Sequence, residues 1–158
     1  MRGRWIAWST GIAVIVALIV IITLRWLPRG IPLSEDARND IVGHAKLIYI
    51  VDTSNLAGRP IIQVQYFVLD LGISNTQNAV QKELDQLRST GWHISESDRD
   101  GIVAYSDAHN SVAVVEPLDS YLQRTSLSDP YEGEAASKIS NNVIDRDALI
   151  LVKAQPRS

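Results

Sequence analysis

The stretch IIQVQYFVLDLGISNTQNAVQKELDQLRSTG, Ile61 to Gly91, places the two periodicities that decide this fold side by side. In its first part Ile62, Val64, Tyr66 and Val68 alternate with Gln63, Gln65 and Phe67. That two-residue repeat describes a β-strand, expected over about Ile61 to Leu71, with one mostly apolar and one mixed face. Such a strand suits an antiparallel sheet covered on one side. In the second part Val80, Leu84 and Leu87 fall at i, i+4 and i+7, with Gln81, Lys82, Asp85 and Arg88 on the wet sides. This is the stripe of an amphipathic helix. Ser74 to Gln77 fits a capping box, in which the serine oxygen and the glutamine side chain satisfy free backbone N–H groups. Gly91 supplies the stop.

Working outward, Lys46 to Asp52 reads as a strand, rich in β-branched and aromatic residues. Three more strand-like runs come after the helix: Trp92–Glu96, Ile102–Ser106 and Val112–Pro117. The polar segment 119–146, with Pro130 and Gly133, reads as mostly loop with a helical turn near Ala135, and Asp147–Ala154 closes as a strand. Ser34 to Gly43 suggests a short helix capped by Ser34, with Glu35 and Asp36 in its first turn. The fold class expected is α+β: mostly antiparallel sheet with one main helix packed on a face. Trp92 is expected to pack on the Val80–Leu84–Leu87 stripe.

The N-terminal region has a different character. Trp5 to Leu24 is twenty consecutive residues without a charge. A helix of that length rises about 30 Å, enough to cross the hydrocarbon core of a bilayer. Trp5, Trp8 and Trp26 lie near its ends, where indole rings favour the headgroup boundary, and Arg2, Arg4, Arg25 and Arg29 bracket it. No small-x-small cleavage pattern comes after it, so an uncleaved signal-anchor is expected. The chain therefore divides into a basic tip (1–4), a single-pass transmembrane helix (5–27), a stalk with a short helix (28–44) and an acidic α+β domain (45–158). Ser9, Ala13 and Ala17 form a small-xxx-small line through which a weak homodimer could form. Arginines on both sides of the run nearly balance the positive-inside rule, and the orientation expected is the usual one for an N-terminal anchor behind a short basic tip: a cytoplasmic N-terminus and a C-terminal domain outside, at the plasma membrane. The compact layout without eukaryotic sorting features points to a bacterial envelope.

Charge is distributed as unevenly as hydropathy. Four of the fifteen basic residues precede residue 31 and all eighteen acidic residues lie after it, so residues 31–158 carry eleven basic side chains and a net charge of −7. An acidic domain repels nucleic acid and anionic lipid, so no polynucleotide partner is expected. The chain has no cysteine, which excludes disulfides and thiolate chemistry.

Chemical motifs are sparse. In ESDRDGIVAYSD, Glu96 to Asp107, the residues Glu96, Asp98, Asp100, Gly101 and Asp107 match the spacing of an EF-hand calcium loop. The strand-like flanks and the Asp-Gly step favour a hairpin turn. Asp107, His109 and Ser111 contain the residue types of a hydrolase triad, but they are adjacent in sequence and no G-x-S-x-G elbow accompanies them. His44, His93 and His109 show no zinc spacing, and no phosphate-binding loop is present. No catalytic residue, metal ligand or cofactor is assigned. The reading is a membrane-anchored, non-enzymatic binding or accessory module that contacts a protein in the membrane or envelope. A calcium-responsive sensor using loop 96–107 and a small tethered hydrolase are its alternatives.

Overall fold

The computed structural model describes residues 30–55, 62–98, 101–125 and 130–157. The expected transmembrane segment and the Ser9-Ala13-Ala17 line lie outside them. Among the described residues no helix is long and apolar enough to cross a membrane.

Six strands form one antiparallel sheet: β1 (Lys46–Asn55), β2 (Ile62–Asp70), β3 (His93–Asp98), β4 (Gly101–Ser106), β5 (Ser111–Pro117) and β6 (Ile150–Pro156). Their spatial order is β1-β2-β6-β5-β4-β3, so the last strand fills the centre between two hairpin-connected pieces. Among the described residues four helices accompany the sheet: α1 (Glu35–Val42), α2 (Thr76–Ser89), α3 (Leu118–Arg124) and α4 (Pro130–Asn142). The expected α+β class is observed, as are the short helix capped by Ser34 and the long helix ending before Gly91. The cap of α2 is displaced by one residue. Asn75, not Ser74, accepts from the backbone N–H three residues on.

Two expectations are corrected. The segment 119–146 is largely helical, because α3 and α4 occupy most of it. Pro130 begins α4, where a missing N–H costs nothing. Ala135, Ile139 and Val143 then fall at i, i+4 and i+8 and are all buried. The sheet is also covered on both faces, not one, and this is why every residue from Val64 to Leu69 is buried. Phe67, Leu69, Ala104, Ala113, Val115, Ile150 and Val152 meet α1 and α2 on the first face. Val51, Val64, Tyr66, Val68 and Leu151 meet α3 and α4 on the second. Trp92 belongs to the first cluster with Val80, Leu84 and Leu87, as expected.

Register explains how α2 seats. Gln65, Ala154, Ala113 and Ala104 are successive cross-strand partners on β2, β6, β5 and β4. Three alanines in one row leave a shallow trough on the first face, and α2 lies against β5, β3 and β6 there. Small side chains under a helix permit close approach, and dispersion contacts accumulate with proximity.

Two predictions separate this architecture from a one-face sheet. Ile139→Ala should cost about 2–5 kcal/mol of unfolding free energy in urea titration, the usual loss for a fully buried aliphatic side chain, whereas a loop residue there would change little. Gly101 has φ of 129°, and a Cβ there would stand 2.9 Å from the Val115 carbonyl oxygen. Gly101→Ala should therefore lower stability by roughly 1–3 kcal/mol, through a strained backbone and a contact that backbone cannot relieve.

Candidate functional site

Within the 96–107 stretch β3 and β4 pair antiparallel. Asp98 stands opposite Gly101, and β4 then runs its full length before reaching Asp107. A six-residue strand spans roughly 20 Å. Asp98 and Asp107, two of the oxygen-bearing positions of the supposed twelve-residue loop, thus sit at opposite ends of a strand. No group of three histidine or acidic residues able to hold a metal occurs among the described residues.

The Asp107, His109 and Ser111 set is likewise dispersed by its contacts. Asp107 forms an ion pair with Arg157 at 2.6 Å. Ser111 Oγ donates to the carbonyl of His109 at 2.8 Å, and the His109 amide donates to Ser106 Oγ. The imidazole turns elsewhere: its Nε2 lies 2.8 Å from Asp40 Oδ2, on a residue 69 positions earlier.

Asp40 is the hub of the best-connected polar constellation. Its Oδ2 also accepts from Trp92 Nε1 at 3.1 Å, and its backbone carbonyl accepts from Gln86 Nε2 at 2.9 Å. Gly43 makes room for Gln86, since a Cβ there would overlap that side-chain amide. The Trp92 and His109 rings lie 6.1 Å apart. Through its carboxylate and its backbone carbonyl, one residue near the end of α1 thereby joins α1, α2, the approach to β3 and the β4–β5 turn. Both members of the Asp40–His109 pair are about one-fifth exposed. That burial weakens screening and lets the pair hold these elements in register.

On the second face, Glu116 of β5 pairs with Arg124 of α3 at 2.7 Å. Lys153 of β6 bonds to Glu132 of α4 and lies over the Tyr66 ring. Tyr121 donates to the Glu132 carbonyl and stands 5.9 Å from Tyr66. Burial, and then the nearby Tyr66, Glu132 and Glu116, push the Tyr121 hydroxyl well above its ordinary range, so it stays a neutral donor. These contacts fasten α3 to the strand that precedes it and α4 to β6, 21 residues away at the Glu132–Lys153 pair.

Glu83 breaks the pattern. It lies on the buried face of α2 among Ala79, Val80, Leu84 and Leu87, is fully inaccessible, and has no hydrogen-bond partner on either carboxylate oxygen. The only other unpartnered buried side-chain atom among the described residues is Gln65 Oε1, on the same side of the sheet. Burial pushes the Glu83 carboxyl up to about 8, so it is largely protonated at neutral pH. The sequence offered one clue, a charged residue on the apolar side of the α2 stripe, and periodicity alone passed over it.

An open cleft of about 540 Å³ lies between the β2–α2 connection, α3 and the turn before β6, lined by Asp70, Asp119 and Asp147. Within it Gly72 donates its amide to Asp70.

These contacts give two expected outcomes. Because the native pKa of Glu83 is raised, the folded state holds a proton that the unfolded chain releases from about 4.5 upward. Its stabilising effect is complete below 4.5 and is lost as pH rises to about 8, at up to about 1.4 kcal/mol per pH unit. Glu83→Met should remove that slope from urea-melt stabilities across this window and raise stability at pH 8. For the hub, a double-mutant cycle on Asp40→Ala and His109→Ala should return a coupling of about 0.5–3 kcal/mol, the range for residues in direct contact; additivity would deny the pair a role. Compared with known protein families, characterised proteins and solved structures, the chain shows no match.

Proposed function

We propose that this chain is a single-pass, membrane-anchored, non-enzymatic binding module whose acidic α+β domain contacts a protein partner in the membrane or envelope, with the domain on the outer face. The observation that carries the reading is the uncharged run Trp5–Leu24, bracketed by arginines and tryptophans, with a folded domain beginning a few residues later. Leu33 is already buried in the first core cluster. The domain's polar chemistry supports a binding role over catalysis. His109 is committed to Asp40, Ser111 to a backbone carbonyl, and the charged pairs Glu116–Arg124 and Lys153–Glu132 join helices to strands. The net charge of −7 over residues 31–158 favours partners with basic surfaces and opposes polynucleotides.

Alkaline carbonate extraction of membranes from expressing cells tests the anchor. The full chain should stay with the bilayer, whereas a chain lacking residues 5–24 should be released. Release of the full chain would remove the reading. Protease added to intact cells should digest the domain if it faces outward.

A further inference from the structure

We propose that α2 is a hinged cover on the first face of the sheet, latched while the Glu83 carboxyl is neutral and released when it ionises, with the rest of the domain staying folded. This inference goes beyond the binding-module reading and does not depend on the N-terminal segment. Three observations lead there.

The first is the latch. Glu83 is fully inaccessible on the buried face of α2, and neither of its carboxylate oxygens has a hydrogen-bond partner. The strands under α2 present Ile94 of β3, Ala113 and Val115 of β5, and Ile150, Val152 and Ala154 of β6 to this face. The charged groups around it are committed or turned outward. Glu116 of β5 and Lys153 of β6 are paired with Arg124 and Glu132 on the second face, and His93 of β3 packs on the Tyr105 ring. From α1, Asp40 is paired with His109, while Glu35, Asp36 and Arg38 are exposed. Asp52 of β1 accepts from Gln65, and Lys82, Asp85 and Arg88 of α2 itself are exposed. Among the described side chains, an anion at Glu83 therefore meets no cation where it sits, and water is its stabiliser only once α2 has moved.

The second observation is the pair of joints. Gly72 precedes α2 with φ of 68° and Gly91 comes after it with φ of 90°, and no atom lies within 4 Å of where a Cβ would stand at either. Unobstructed glycines at both ends of an element can absorb the backbone rotation that moves it.

The third is the way α2 is held. Among the described residues its side chains bond to other segments through Gln86 and Lys82, which donate to the carbonyls of Asp40 and Leu71 at 2.9 and 3.5 Å. The rest of its attachment is apolar contact over the alanine row. On the second face α3 and α4 are fixed by ion pairs around a separate core that includes Tyr66, Tyr121 and Leu151. A sheet with two independent cores can lose the cover of one and keep its ladders and the other, which is the condition for local opening. Burial pushes the closed-state Glu83 carboxyl up to about 8, and exposure returns it to its ordinary 4.5. Opening releases a proton, so between those values each pH unit favours it by up to about tenfold.

Hydrogen exchange on the full-length chain in detergent micelles tests this, from about pH 5 to about pH 8, with rates corrected for intrinsic amide chemistry. Opening of the α2 amides should increase by about tenfold per pH unit. Its urea dependence should be weaker than that of β6 and α4 amides, because a local opening exposes less surface than whole-domain unfolding. Glu83→Met should flatten the pH dependence of α2 and leave its weak urea dependence in place. Glu83→Gln, close in shape and uncharged, should do the same and guards against a packing defect peculiar to methionine. A single protection and urea dependence shared by α2, β6 and α4 at every pH overturns the hinged cover. A pH dependence of α2 that persists in both variants overturns Glu83 as its latch.

Discussion

Everything in this domain depends on the insertion of β6 between β2 and β5. The β1–β2 pair and the β3–β4–β5 meander are separate pieces until that strand enters. It contributes Ile150, Val152 and Ala154 to one core and Leu151, with Leu149 just before it, to the other. A central strand buried on both faces satisfies its backbone through two ladders at once and removes two sheet edges. The last strand in sequence therefore completes both hydrophobic layers, which places many contacts at long sequence separation and implies slow, strongly cooperative closure.

The two faces of the sheet handle polarity differently. The second face carries charged groups that are paired, so α3 and α4 are held by directional contacts as well as by apolar area. The first face is apolar under α2 except for Glu83 and the side-chain carbonyl oxygen of Gln65, neither of which has a partner. A buried carboxyl without a partner survives by remaining neutral, and each further pH unit of ionisation pressure works against the native state. The Asp40 hub at the margin of that face does the reverse, gathering three side-chain partners from distant segments onto one residue.

How much of this was legible depends on the range of each interaction. Ser34, Gly91 and the Val80–Leu84–Leu87 stripe act within a turn or two, and they were readable. Alternation marked most strands, and the Asp-Gly step marked the β3–β4 hairpin. Helix α4 was not readable because its apolar positions are sparse and Pro130 and Gly133 resemble loop residues; only the sheet beneath makes Ala135, Ile139 and Val143 a buried stripe. Alternation in β2 was misleading for a related reason. Phe67 and Gln65 looked like a mixed, wet face until α1 and α2 covered it.

By itself the sequence determined the uncharged N-terminal run, the acidic balance of residues 31–158, the α+β class, the Ser34 cap and the turns, because each arises from residues close together or from composition. Only the tertiary structure decided the order of the strands, the second covered face, the isolation of Glu83 and the joining of Asp40 to His109 across 69 positions. Local propensity sets which pieces form, whereas their partners are chosen by burying apolar area and satisfying polar groups over the whole chain at once.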